Sequence, residues 1–207
     1  MNTDFPASDF DGWAETYDRS VSETDAYPFT GYADALETVV ARAEARPGMK
    51  VLDLGTGTGN LAVRFAELGC EVWGTDFSEP MLARARTKLP AACFLLHDLR
   101  EPLPPELAGP FDRIVSGYVF HHFVLDEKVR IITSLVPRLS SPGKILIADI
   151  SFQNQVALEK VKLAVGNDWD DEYYWLADEA QAALRRAGLR VEYAPVSDCA
   201  GVFTLQA

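Results

Sequence analysis

The chain of 207 residues predicts an α/β fold built on a doubly wound, mostly parallel sheet, and three observations carry that prediction. Val51-Leu52-Asp53-Leu54-Gly55-Thr56-Gly57-Thr58-Gly59-Asn60-Leu61 reads as a short buried strand running into a glycine-rich turn that opens a helix. From Lys50 onward, strand-like and helix-like segments alternate, which implies parallel strands covered by helices on both faces. The chemically distinctive residues at 53–59, 76, 98 and 116–122 all fall at the C-terminal ends of predicted strands, the edge where open α/β sheets bind ligands.

Residues 1–30 are irregular, acidic and aromatic, with Trp13, Tyr17, Tyr27 and Phe29. A helix follows that places Leu36, Val39, Val40 and Ala43 on one face and ends at Pro47-Gly48. Strand one starts at Lys50, and further strands are expected near 71–75, 93–97, 112–118 and 144–150. Ser78 is a suitable N-cap, with Glu79 and Pro80 in the first turn and Arg84, Arg86 and Lys88 toward the end, as the helix dipole favours. After strand four, Val129, Ile132, Leu135 and Leu139 recur at helical spacing, and Pro137 should kink the last turn. Ser141-Pro142-Gly143 turns the chain back into strand five. A helix over 176–187, stopped by Gly188, precedes strands near 190–195 and 201–206 that close the sheet as an antiparallel hairpin. The reading is one domain over 1–207, with 1–46 as an N-terminal lid and helix and 151–175 as an insertion capping the pocket.

The glycine turn narrows the ligand. Glycine tolerates the backbone angles of such a turn and lets a ligand lie against the main chain, while the helix start offers N–H groups to an anionic group. A dinucleotide fingerprint needs a third glycine at position 60, where this chain has Asn60. The pattern is instead D-x-G-x-G-x-G. Glu71-Val72-Trp73-Gly74-Thr75-Asp76 follows as a strand ending in a carboxylate, the position from which an acid grips ribose hydroxyls in nucleotide folds.

With Asp98-Leu99 after strand three and Ser116 to His122 after strand four, the chain resembles class I S-adenosylmethionine (SAM)-dependent methyltransferases from Trp13 to strand five. The resemblance implies a Rossmann-like sheet of seven strands, SAM as cofactor and S-adenosylhomocysteine (SAH) as product. It implies that Asp53, Gly55, Thr56, Gly57 and Gly59 hold the methionine half, and that Asp76 holds the ribose. Phe77 and Met81 would cover the adenine, Asp98 would meet its amino group, the Leu99 N–H a ring nitrogen, and Ser116 would close the site from strand four. More narrowly, the chain is similar to methyltransferases of Gram-positive bacteria in Trp13-Ala14-Glu15-Thr16-Tyr17-Asp18, Phe120-His121-His122 and Ala148-Asp149-Ile150-Ser151-Phe152-Gln153-Asn154. It departs from them in carrying Asp53 where glutamate is usual.

Methyl transfer from a sulfonium is an in-line displacement, so holding the acceptor in line and excluding water are the main tasks. A base matters where the acceptor arrives protonated. His121 and His122 are the candidates, against the alternative that one packs near the cofactor while the other satisfies a backbone carbonyl. Tyr17 either borders the sulfonium or, with Trp13, pins the terminus. The run Asp168-Trp169-Asp170-Asp171-Glu172-Tyr173-Tyr174-Trp175 offers rings and carboxylates for a cationic acceptor, or is a solvated helix face. Asp149 is a further acceptor contact or a turn cap, and His97 a packed strand-end residue.

A net charge of −12 with no basic stripe argues against a nucleic-acid partner and leaves a small-molecule methyl acceptor. Cys70, Cys93 and Cys199 read as free buried thiols, and no histidine stands at metal-ligand spacing from them, so no metal is implied. The stretch Met1–Pro6 lacks the basic and apolar blocks of a signal peptide and no apolar run is long enough for a membrane, so a cytoplasmic protein is expected; a monomer or homodimer is expected too. The competing readings are a SAM-binding protein without catalysis and, less favoured, a nicotinamide oxidoreductase.

Overall fold

The computed structural model describes residues 11–23 and 26–206. Two N-terminal helices, α1 (Tyr17–Glu23) and α2 (Tyr32–Ala43), lead into β1 (Lys50–Leu54), α3 (Asn60–Glu67), β2 (Glu71–Asp76), α4 (Glu79–Lys88), β3 (Cys93–Leu96) and β4 (Phe111–Gly117). Then come α5 (Leu125–Leu135), β5 (Leu139–Phe152), α6 (Gln155–Val165), a two-residue β6 (Trp175–Leu176), α7 (Ala177–Arg186), β7 (Arg190–Pro195) and β8 (Ala200–Gln206). The sheet runs β3-β2-β1-β4-β5-β8-β7, with β6 paired to β5 off that path. Strands β1 to β5 are parallel, and β8 and β7 add as the expected antiparallel hairpin.

Side-chain alternation explains the two layers. Leu52, Leu54, Ile114, Ile145 and Ile147 face Ile131, Ile132 and Leu135 of α5 and Ala180 and Leu184 of α7. Their neighbours Val51, Val115, Leu146 and Ala148 face Leu36 and Val39 of α2 and Leu61, Ala62 and Phe65 of α3. Consecutive strand residues are thus apolar on both faces, as a parallel sheet covered on both sides requires. Strand order reverses between β1 and β4, and a crevice opens beyond their C-terminal ends.

Several local expectations need correction. Strand five is longer than 144–150, because Leu139 already pairs with Phe111. The register then jumps to Arg113↔Lys144, so residues 140–143 form a bulge within β5 in place of a turn before it. Pro137, which lacks an N–H, ends α5 at Leu135 and starts a single 3₁₀ turn, leaving Leu139 to the sheet. Of the thiols, Cys199 is buried, Cys70 half-buried and Cys93 exposed, since β3 is an edge strand with little cover. Residues 169–174 are not helical; they run across the top of the sheet, with Trp169 and Tyr174 packed on Phe152 at the end of β5.

Candidate active site

The crevice widens into a cavity of about 730 Å³, walled by the strand ends, the N-terminal segment and residues 168–174. That is the size of a small-molecule site. One end of the cavity is built on the turn after β1. Gly55 lies at φ +63°, and a Cβ there would come within 2.4 Å of Val119, so no side chain fits. Gly57, at φ +53°, faces open space. Its N–H donates to Asp76 Oδ2 at 2.8 Å, while Ser78 N donates to Oδ1 at 2.9 Å, so the carboxylate at the tip of β2 is fixed from two sides. Burial raises the Asp76 pKa, and the backbone N–H groups of Ser78 and Gly57 oppose the rise.

Asp53 is buried at the end of β1 and accepts from Thr56 Oγ1 at 2.7 Å through Oδ2. Its Oδ1 is buried without a hydrogen-bond partner among the described residues. Burial pushes this carboxyl up to about 7; the Thr56 hydroxyl opposes the shift and Asp76 adds to it. The Ala62 N–H also favours the charged form, and a carboxylate buried on a cavity wall with so few donors suits a cationic ligand group.

The far end of the cavity holds a cluster around His121. Its Nδ1 meets Asp149 Oδ1 at 2.5 Å, and Asp149 also accepts from Trp175 Nε1 at 2.8 Å and Ile150 N at 2.9 Å. His121 Nε2 lies 3.9 Å from Glu172 Oε2, and His122 Nδ1 lies 3.6 Å from Glu172 Oε1. Glu172 is brought there by its neighbour, because Tyr173 N donates to the His121 carbonyl at 3.0 Å. Lys128 closes the cluster from α5, with Nζ on the Tyr173 carbonyl and 4.3 Å from the centre of the Trp175 ring. Burial pulls His121 down, but the Asp149 carboxylate outweighs it and holds the imidazole above its ordinary pKa. Burial lowers His122 to about 2, with His121 and Lys128 adding to the fall. Burial raises Glu172 and takes Lys128 down to about 8.

Between the two ends lies an aromatic wall. Trp13 and Tyr17 pack edge to face at 4.9 Å, and Tyr32 lies 4.9 Å from Tyr118. The Tyr17 hydroxyl pairs with Tyr32, and burial first, then Tyr32, raises its pKa well above the usual value. Tyr118, just past β4, adopts φ +58°, a conformation that strains a bulky residue and that clusters at functional sites. Asp18 latches the N-terminal segment to the rim, bonding Thr58 Oγ1 at 2.5 Å and Lys88 Nζ at 2.7 Å. Tyr27 stacks on Trp169 at 5.0 Å and meets the Tyr174 hydroxyl at 2.5 Å, so the two flanking segments close on each other.

Comparison with known proteins decides the family. Residues 51–143 match the methyltransferase domain family. An uncharacterized methyltransferase of Geobacillus thermodenitrificans is 35% identical over 198 residues, covering 89% of each chain. Another from Bacillus cytotoxicus is 34% identical over 204 residues, covering 93% of each. The chain belongs to the class I methyltransferase family. The methyltransferase shares its fold with DhpI in a SAH complex, at TM-score 0.74 and 19% identity over 97% of this chain and 94% of that one. It does so too with magnesium protoporphyrin IX methyltransferase (ChlM) of Synechocystis PCC 6803 with bound SAM, at TM-score 0.69 and 19% identity over 100% and 99% of the two chains.

The methyltransferase lines this one cavity with Asp53, Gly55, Thr56, Gly57, Asp76, Phe77, Met81, Asp98, Leu99, Tyr17, His121 and His122. Gly59 and Ser116 do not line it. Gly59 caps α3 at φ +88°, and the Ser116 hydroxyl is used within the sheet, donating to the Leu54 carbonyl at 2.8 Å. Asp98 is on the wall, but its oxygens are held by Arg100 at 2.6–3.0 Å; burial raises its pKa and the guanidinium more than reverses that. Asp149 is fully buried and does not line the cavity; it partners His121 and also accepts from the Ile150 N–H. His97 stands on the cavity wall rather than in the core. Sequence reasoning missed Tyr32, Tyr118, Lys128 and the specific role of Glu172, none of which carries a local motif.

No helix among the described residues is long and apolar enough to cross a membrane.

Proposed function

We propose that this methyltransferase uses SAM to methylate a small molecule held between the aromatic wall and the His121–His122–Glu172 end of the cavity. The observation that carries the reading is Asp53. Its buried Oδ1 has no hydrogen-bond partner among the described residues, and Asp53, Gly57 and Asp76 line the same cavity. An ammonium group and a ribose diol of one ligand suit that pair of carboxylates. The SAM and SAH complexes among the proteins of like fold support the same assignment.

SAM, when bound, supplies an electrophilic methyl group that needs only an aligned nucleophile. The chain's own residues do the remainder. Asp53 and Asp76 fix the two ends of the cofactor, while Tyr17, Tyr32 and Tyr118 exclude water from the methyl group's path. The acceptor lies toward His121, and the proton it sheds leaves at that end. The clasp of Tyr27 with Trp169 and Tyr174 limits the space to a small acceptor.

Calorimetry with SAM and SAH tests the cofactor assignment, and SAH release with labelled methyl incorporation into a metabolite extract tests turnover. Micromolar affinity that collapses in Asp76→Ala, together with SAH release, supports the proposal. SAM binding without any transfer would make the protein a non-catalytic SAM binder, and no binding at all would end the SAM assignment.

A further inference from the structure

We propose that His121 Nε2, His122 Nδ1 and the Glu172 carboxylate form a three-ligand site for a divalent transition-metal ion of the zinc class, open toward the acceptor cavity. One ligand atom from each lies within 4.8 Å of the others. Glu172 Oε2 stands 3.9 Å from His121 Nε2 and its Oε1 3.6 Å from His122 Nδ1, against about 3.3 Å expected between tetrahedral ligands at zinc bond lengths. Small side-chain rotations close that difference.

Three further features match a metal centre. The second ring nitrogen of His121 is held by a buried carboxylate, Asp149, which is itself fixed by Trp175 and Ile150; this is the carboxylate–histidine arrangement that orients a metal-bound imidazole. The donor set, two imidazoles and a carboxylate, is that of catalytic zinc sites, which leave a fourth position for water or substrate. All three residues line the cavity, so the fourth position faces the acceptor. Lys128 opposes the ion's charge, but Asp149 and Glu172 together outweigh it. The site departs from the sequence expectation of no metal, which considered only histidines near cysteines; Glu172 is far along the chain from both histidines.

The inference deepens the proposed function, on which it rests for the acceptor's position alone. An acceptor bearing a hydroxyl or thiol would place that oxygen or sulfur in the fourth position. Coordination lowers the pKa of such a donor and releases its proton to solvent. The methyl group then bonds to the coordinated atom as its bond to the SAM sulfur breaks, and that electron pair stays on sulfur as SAH leaves.

The test uses the full-length protein after chelator treatment, titrated with zinc alone by calorimetry and with cobalt(II) alone by visible absorption. Binding of one ion per chain and cobalt bands of tetrahedral intensity are expected. His122→Ala and Glu172→Gln should each weaken the ion more than about tenfold, and Asp149→Asn about 10–100-fold. Asp171→Asn, on an exposed residue outside the cavity, should change nothing. SAM affinity measured on the same variants reports folding and tests the cofactor assignment separately. No ion binding by a protein that binds SAM, or equal binding by the His122→Ala and Glu172→Gln variants, overturns the metal site and leaves the methyltransferase reading standing.

Discussion

The two ends of the cavity are built in opposite ways. At the cofactor end the decisive bonds are short in sequence or join adjacent parallel strands: Thr56 to Asp53, Ser78 to Asp76, and Gly57 to Asp76 across the β1–β2 edge. At the acceptor end they are long-range: Tyr27 to Tyr174, His121 to Asp149, Lys128 to the Tyr173 carbonyl. The first end depends on backbone conformation, which a few glycines dictate. The second depends on side chains that meet only after the sheet has formed. Substitutions should therefore separate binding of the cofactor from chemistry on the acceptor.

The largest expected effect is at the acceptor end. His121→Ala should lower kcat by about 10²–10⁴-fold while SAM affinity stays within a factor of about three, as loss of a group that promotes the acceptor's deprotonation, here through the ion it holds, would do. Single-turnover kinetics beside calorimetry would check it; a parallel loss of SAM binding would erase the contrast between the two ends. At the proposed cofactor end, Asp76→Ala should raise the SAM Kd about 10- to 150-fold, because charge-assisted hydrogen bonds contribute about 1.5–3 kcal/mol. Its kcat at saturating SAM should change less than that of His121→Ala.

A smaller effect belongs to the clasp. Trp169→Ala removes the ring stacked on Tyr27, an interaction of about 0.5–1.5 kcal/mol. Acceptor KM should rise several-fold with SAM Kd unchanged, and proteolysis in the 166–174 segment should quicken.

The smallest effect is one of pH on stability. Asp53 is raised to about 7 by burial, so between its unfolded value and that pH the native state keeps a proton that the unfolded chain has lost. Stability contributed by this group is therefore present at low pH and declines as pH rises from about 4 to 7. Urea midpoints of the wild type should fall over that range relative to Asp53→Asn. Saturating SAM should flatten the difference, since its ammonium favours the carboxylate.

The succession of strands along the chain, the closing hairpin and most of the residues that line the glycine-turn end of the cavity were legible because each rests on local pattern: alternation along strands, helical spacing, and an acid at a strand tip. Ser116 was misplaced because a polar residue at a strand end has two directions available, and only the pairing with β1 shows that its hydroxyl points to Leu54. Asp149 had the same ambiguity, resolved by His121 and Trp175 from other elements. Residues 168–174 alternate rings and acids without a clear period, and it is Phe152 and Tyr27 that fix which ring packs and which acid faces the cavity.

By itself, then, the sequence determined a doubly wound sheet and a glycine turn with an acid on either side, since backbone geometry and two-faced apolar strands are properties of contiguous residues. Tertiary structure alone decided that Glu172 stands against His121 and His122, that Asp149 lies behind them, and that Tyr32 and Tyr118 wall the space between. Those contacts span tens of residues, and their strength comes from burial that no local segment provides.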